Sequence, residues 1–171
     1  MAAVGVAESS STPAVDKKAQ IDLACSTAEN FCKLFYDKMD NKRHTISKMY
    51  LDTATASWNG NKVEGGVEIQ KFYLDKLPKS EHQVTALDAQ PVASNFVGSQ
   101  TTILVVVAGH VSFQDSRQKP FQQNFLLTAR GDHWKIATDT FRHQEHSKPK
   151  HWKQNWKSGI CEDSISNQMV Y

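Results

Sequence analysis

Thr101-Thr102-Ile103-Leu104-Val105-Val106-Val107-Ala108 is the stretch on which the reading of this chain turns. Rich in β-branched residues and free of Gly, Pro and charge, it reads as a strand. Successive side chains of a strand point to opposite faces. Thr101, Ile103, Val105 and Val107 therefore share one face, and Thr102, Leu104, Val106 and Ala108 the other. An antiparallel strand with one face in water alternates apolar with polar residues. Here both faces are apolar, so both need cover.

Helices upstream supply the first cover. Ile21, Ala24, Cys25, Ala28, Phe31, Cys32, Phe35 and Met39 recur at the spacing of an amphipathic helix. Asp40 or Asn41 is placed to cap a second, short helix that buries Ile46, Met49 and Tyr50. Thr53-Ala54-Thr55-Ala56-Ser57-Trp58 suits a short strand, Asn59-Gly60 a tight turn into Lys62-Val63, and Gly65-Gly66 ends that hairpin. A third helix puts Ile69, Phe72, Tyr73 and Leu77 on one face and stops at Pro78. The remainder reads as strands at about 81–92, 100–114, 120–130 and 133–142, separated by turn signals at Pro91 to Ser99, Asp115 to Pro120 and Gly131-Asp132. Helices first and antiparallel strands afterwards predict an α+β domain, with three N-terminal helices packed on a curved, mostly antiparallel sheet.

The second cover is open to two readings. Either the curled sheet and the tail bury the other face, or a partner does. In the next strand Phe121, Gln123, Phe125, Leu127 and Ala129 form one face, while Gln122, Asn124, Leu126 and Thr128 form a mixed opposite face. Mixed polar and apolar sheet faces are typical of protein–protein interfaces, which favours sheet-to-sheet dimerisation. Asp88 lies mid-strand on the parity of Val84 and Ala86. It is either exposed at an edge or paired across an interface, because an unpaired buried carboxylate is very costly. Arg142, ending the last strand, is a second candidate for a cross-subunit pair.

With 171 residues the chain holds one domain with a real hydrophobic core. The domain is expected at 19–143, after a disordered lead-in at 1–18 rich in Ala, Ser and Thr. A polar, mobile tail at 144–171 follows. A net charge of +2 without a concentrated basic face gives no support to direct nucleic-acid binding. Cys25, Cys32 and Cys161 form an odd count without a paired motif, which fits a reducing compartment. Cys25 and Cys32 share a helix face and are read as packed small hydrophobes. No apolar run approaches the ~20 residues of a membrane span, and Met1 to Val6 lack the features of a secretory signal. Nucleus, cytoplasm or both are the expected compartments.

Acid–base chemistry inside such a domain would fall to Asp37, Asp40, Tyr36, Tyr50 or Asp139. Each has a plainer role as a cap, a solvent-side charge or a core tyrosine, and no spacing pairs two carboxylates. His143 and His146 flank Glu145 without a third metal ligand, and Gly65-Gly66 does not continue into a phosphate loop. No catalytic residue, cofactor or metal is expected.

Several short runs resemble the nuclear transport factor 2 family. They are Tyr50-Leu51-Asp52 with Ser57-Trp58-Asn59-Gly60-Asn61, Asp88-Ala89-Gln90-Pro91, Asn124-Phe125-Leu126-Leu127, and Trp134-Lys135-Ile136-Ala137 leading to Asp139-Thr140-Phe141-Arg142. The likeness covers about residues 20 to 143 in order. Gln100 to Val106 and Phe121 to Phe125 look most like the branch formed by the small subunits of messenger-RNA export receptors. That likeness implies a non-catalytic subunit that pairs through its sheet with a large nuclear RNA export factor. It also implies contact with nucleoporin phenylalanine-glycine repeats, directly or through the partner, and shuttling between nucleus and cytoplasm with enrichment at the nuclear envelope. By motif, Asp88 and Arg142 match residues that form salt bridges with the large partner. Gln123 and Phe125 complete the expected partner-binding set. The homodimeric carrier of the GTPase Ran is the alternative within the family. It has an acid after the hairpin tryptophan where this chain has Asn59, and an amide does not supply that charge.

Overall fold

The computed structural model describes residues 14–93, 97–98, 100–114 and 116–144. Cys161, Glu145, His146 and the tail beyond Gln144 lie outside them. Helix α1 (Ala14–Asn41) buries Ala24, Ala28, Phe31, Cys32, Phe35, Tyr36 and Met39. The stripe departs from expectation at its start, where Ile21 is 50% exposed and Cys25 lies at the surface. Cys25 sits about 100° around the helix from Ala24, off the line that continues through Ala28 to Cys32. Cys32 is packed as expected, and burial pushes its thiol up to about 12.

The second helix is a single 3-10 segment (Arg43–Met49) that buries Ile46 and Met49, and no side chain caps it. Asp40 is committed elsewhere. Its carboxylate accepts hydrogen bonds from Ser80 Oγ at 2.8 Å and the His82 backbone N–H at 2.9 Å, and lies 2.7 Å from His82 Nδ1. Burial works against this charge, but the His82 and Ser80 contacts prevail and hold the carboxyl below its ordinary range. Arg43 completes the junction by donating to the carbonyls of Met39, Tyr73, Leu77 and Pro78 and to Ser80 Oγ.

Tyr50 opens strand β1 (Tyr50–Trp58) rather than closing a helix. The turn to β2 (Asn61–Glu64) has φ of 49° at Asn59 and 93° at Gly60, the paired positive angles of a type I′ hairpin. Helix α2 (Gly66–Lys76) buries Ile69 and Tyr73 and stops before Pro78. Strands β3 (Ser80–Pro91), β4 (Thr102–Phe113), β5 (Lys119–Arg130) and β6 (His133–His143) follow.

The six strands form one sheet in the order β2-β1-β6-β5-β4-β3, antiparallel throughout except for the parallel β1–β6 pair. This corrects the expectation of a curved cone, because the sheet is open and not strongly curled. Closing a sheet into a barrel or cone requires its two edge strands to approach and pair. The described ladders contain three register shifts, and the edges β2 and β3 do not pair with each other.

Two of those shifts decide which residues face which way. Val84 pairs with Gly109 but Ala86 pairs with Ala108, so Thr85 is an extra residue. Val84 and Asp88, on one parity in the sequence, therefore belong to opposite faces. Gly109 is what lets β3 bulge here, since an added Cβ would lie 2.2 Å from the Gln83 carbonyl oxygen and 3.1 Å from the Phe121 ring. In β6, Leu127 pairs with Ile136 but Leu126 with Thr138, so Ala137 is the extra residue and Asp139 joins Ile136 on one face.

Candidate functional site

The two faces of the sheet are built differently. On one, Ile103, Val105 and Val107 of β4, with Phe121, Phe125 and Leu127 of β5, are buried beneath the helices. Phe125 is fully buried, with the rings of Phe31 and Phe35 edge-on to it at 5.0 and 4.7 Å. Trp58 stacks flat on Phe141 at 3.8 Å between centroids. Phe31, Phe35 and Trp58 thus occupy the interior where a small-molecule site would have to open.

At the centre of this core lies a polar cluster that spacing alone does not assemble. Asp139 is 1% exposed; its carboxylate accepts from Tyr50 at 2.6 Å, Tyr73 at 3.0 Å and Gln123 Nε2 at 2.8 Å. Gln123 Oε1 in turn accepts from the Tyr36 hydroxyl at 2.9 Å. Burial pushes the Asp139 carboxyl up, its three hydrogen bonds pull it back, and it settles at about 6. Burial first, and then the neighbouring Asp139 charge, hold the Tyr50 and Tyr73 hydroxyls well above the usual phenol range, so both remain donors. Every polar atom in the cluster serves another, which makes it a structural tie between β5, β6, α1 and α2.

Two residues expected at the partner interface belong to this side. Gln123 is 1% exposed and Phe125 is fully buried, so neither side chain reaches a partner. Both share the parity of Phe121 and Leu127, the row that meets the helices. The remaining acid–base candidates are also occupied: Asp37 is exposed and bridges Lys42 and Asn41, and Asp40 joins α1 to β3. No His, Cys, Asp or Glu grouping suited to a metal ion occurs among the described residues.

No described helix packs on the opposite face. Its rungs follow from the pairing register. Gln90, Leu104, Leu126 and Thr138 form one rung, Asp88, Val106, Asn124 and Thr140 the next, and Ala86, Ala108, Gln122 and Arg142 the third. Leu104, Val106 and Leu126 remain partly accessible, whereas Ile103, Val105 and Leu127 are closed off. Asp88 and Arg142 are both exposed at opposite margins of this apolar strip. Among the described residues neither has an ion-pair partner. The face combines an apolar centre with opposite charges at its rim, the anatomy of a protein–protein interface.

Fold and face together define an α+β domain whose sheet is covered by described helices on one side and accessible on the other. The match of the Nuclear transport factor 2 (NTF2) domain to residues 27–143 places the chain in a family, and it belongs to the nuclear transport factor 2 family. It is 47% identical over 137 residues to the human NTF2-related export protein 2, an alignment that covers 78% of this chain and 96% of that one. The solved nuclear transport factor 2 from Cryptosporidium parvum shares the fold at a TM-score of 0.62 and 23% identity, over 73% of this chain and 95% of that one. Mtr2 in its C. albicans complex with the Mex67 M domain does so at 0.57 and 15%, over 70% and 95%.

Proposed function

We infer that this chain is the non-catalytic small subunit of a messenger-RNA export receptor and heterodimerises through its open sheet face with a large nuclear RNA export factor. The observation that carries this reading is the row Leu104, Val106 and Ala108, on a double-sided apolar strand that the described helices cover on one side only. Kinship with the export proteins supports it, and so does the fold shared with Mtr2, which is crystallised with a Mex67 domain. Asp88 and Arg142 are the charged contacts of this interface. Their opposite signs at opposite margins fix the orientation of the partner more than they add affinity. The protein works in nucleus and cytoplasm, shuttling with its partner and concentrating at the nuclear envelope.

Contact with phenylalanine-glycine repeats of the pore belongs to the same reading. A groove of about 590 Å³ beside α1 and the β5–β6 turn, lined by Phe31, Leu34, Met49 and Trp134 together with Lys38, Lys48 and Asp132, is the candidate surface for a direct contribution from this subunit. Co-expression of the full chain with the corresponding domain of a large RNA export factor tests the main proposal. A one-to-one complex by mass measurement is expected. A clean, stable monomer that ignores that domain defeats it.

A further inference from the structure

We propose that Asn124 is a specificity determinant of the open face, its amide oxygen kept for a hydrogen-bond donor of the partner subunit. This rests on the heterodimer reading above. Asn124 stands in the middle strand of the strip, between Val106 of β4 and Thr140 of β6, with Gln122 and Leu126 before and after it on the same face. Its Oδ1 is shielded from solvent and has no hydrogen-bond partner among the described residues. Buried polar atoms are almost always paired, and one left unpaired destabilises the state that contains it. Thr140 pairs with Asn124 across the β5–β6 ladder, and no side-chain hydrogen bond joins the two.

The occupant is defined by chemistry. Apolar residues on three strands call for an apolar surface, and Asp88 and Arg142 call for opposite charges at its edges. Asn124 adds one N–H or O–H aimed at the centre. The broad terminal torsion of asparagine lets the oxygen turn outward once that donor arrives. A second apolar surface lacking the donor would bury the same oxygen more deeply and still unpaired. The free energy difference between right and wrong partners is largest for such a site, because a buried polar group punishes the partner that does not match it.

A competition experiment reads this directly. Wild-type and variant full-length chains carrying different tags are co-expressed with a limiting amount of the export factor's partner domain, and the ratio of tags in the complex is measured. Asn124→Leu and Asn124→Ala should each be displaced by wild type by roughly tenfold, the loss of one net hydrogen bond at a buried site. Asn124→Thr, which keeps an uncharged acceptor oxygen on a side chain suited to a strand, should lose less than Asn124→Leu. Thermal unfolding of each free variant should show a melting temperature equal to or above wild type, since the orphaned oxygen is gone or hydrated. Equal competition by Asn124→Leu, an Asn124→Thr variant displaced as strongly as Asn124→Leu, or loss of binding accompanied by a lowered melting temperature each overturns the proposal. If wild type itself ignores the domain, the heterodimer reading falls and this inference with it. If wild type binds and Asn124→Leu binds equally, only this inference falls.

Discussion

Gln123 and Asn124 are neighbours in β5 and carry the same amide, yet they stand on faces with opposite needs. Gln123 is closed beneath the helices, and both ends of its amide are used, by Tyr36 and by Asp139. Asn124 looks the other way, and its oxygen has no partner among the described residues. The helix-covered face is complete in itself, with aromatic packing around Phe125 and a carboxylate surrounded by donors. Among the described residues, the open face has apolar residues without cover, charges without counter-charges and an acceptor without a donor. The difference teaches that the two faces serve different ends: one closes on the chain's own helices, and the other is the surface the proposed partner would cover.

The largest expected effect is on the finished side. Phe125→Ala should cost about 3–5 kcal/mol in urea unfolding, the usual range for emptying a buried phenylalanine site, because Phe31 and Phe35 both lose their contact. A cost near that of a surface substitution would mean the two faces are less different than drawn. Next comes the pH response of Asp139. Its folded carboxyl is raised from 3.8 to about 6, so it burdens the folded state once ionised. Stability from this group is full below about pH 4, declines as pH rises to about 6, and is then lower by about 3 kcal/mol. Asp139→Asn should flatten that decline, provided the Gln123 amide turns to face the new N–H donor. Subtracting its pH–stability curve from that of wild type isolates the effect from Asp40, whose depressed carboxyl has the opposite sign. Parallel curves from pH 4 to 7 would show that Asp139 does not carry the dependence. The smallest effect belongs to the open face. Asp88→Arg and Arg142→Glu should each leave unfolding within about 0.5 kcal/mol of wild type. Each should also weaken the heterodimer roughly tenfold, about 1.4 kcal/mol, in titration calorimetry with the partner domain. Unchanged affinity for both would remove these charges from the interface.

Much of the architecture is legible in the sequence. The apolar stripe from Ala24 to Met39, the Asn59-Gly60 hairpin, the third helix ending before Pro78 and the four long strands all follow from local periodicity and turn chemistry. Less of the site can be read. Asp88 and Arg142 are proposed from the family motif, and both stand exposed on the open face. Gln123 and Phe125 were expected at the interface, although their parity with Phe121 and Leu127 already assigns them to the helix side. That parity is the signal that could have excluded them. Asp139 illustrates the opposite case, since simple alternation from Ile136 turns it outward and only the bulge at Ala137 brings it in.

What the sequence by itself determined is the order of elements and the double-sided apolar character of Thr101 to Ala108, and hence that two surfaces must cover this strand. These are properties of single segments, governed by side-chain alternation and backbone preference over a few residues. Only the tertiary structure decided that the sheet stays open, that Thr85 and Ala137 are extra residues, and which of two adjacent amides is satisfied. Those outcomes depend on how strands pair over long separations, where one residue of register exchanges inside for outside. The strand shows that a second cover is needed; the pairing shows which side chains await it.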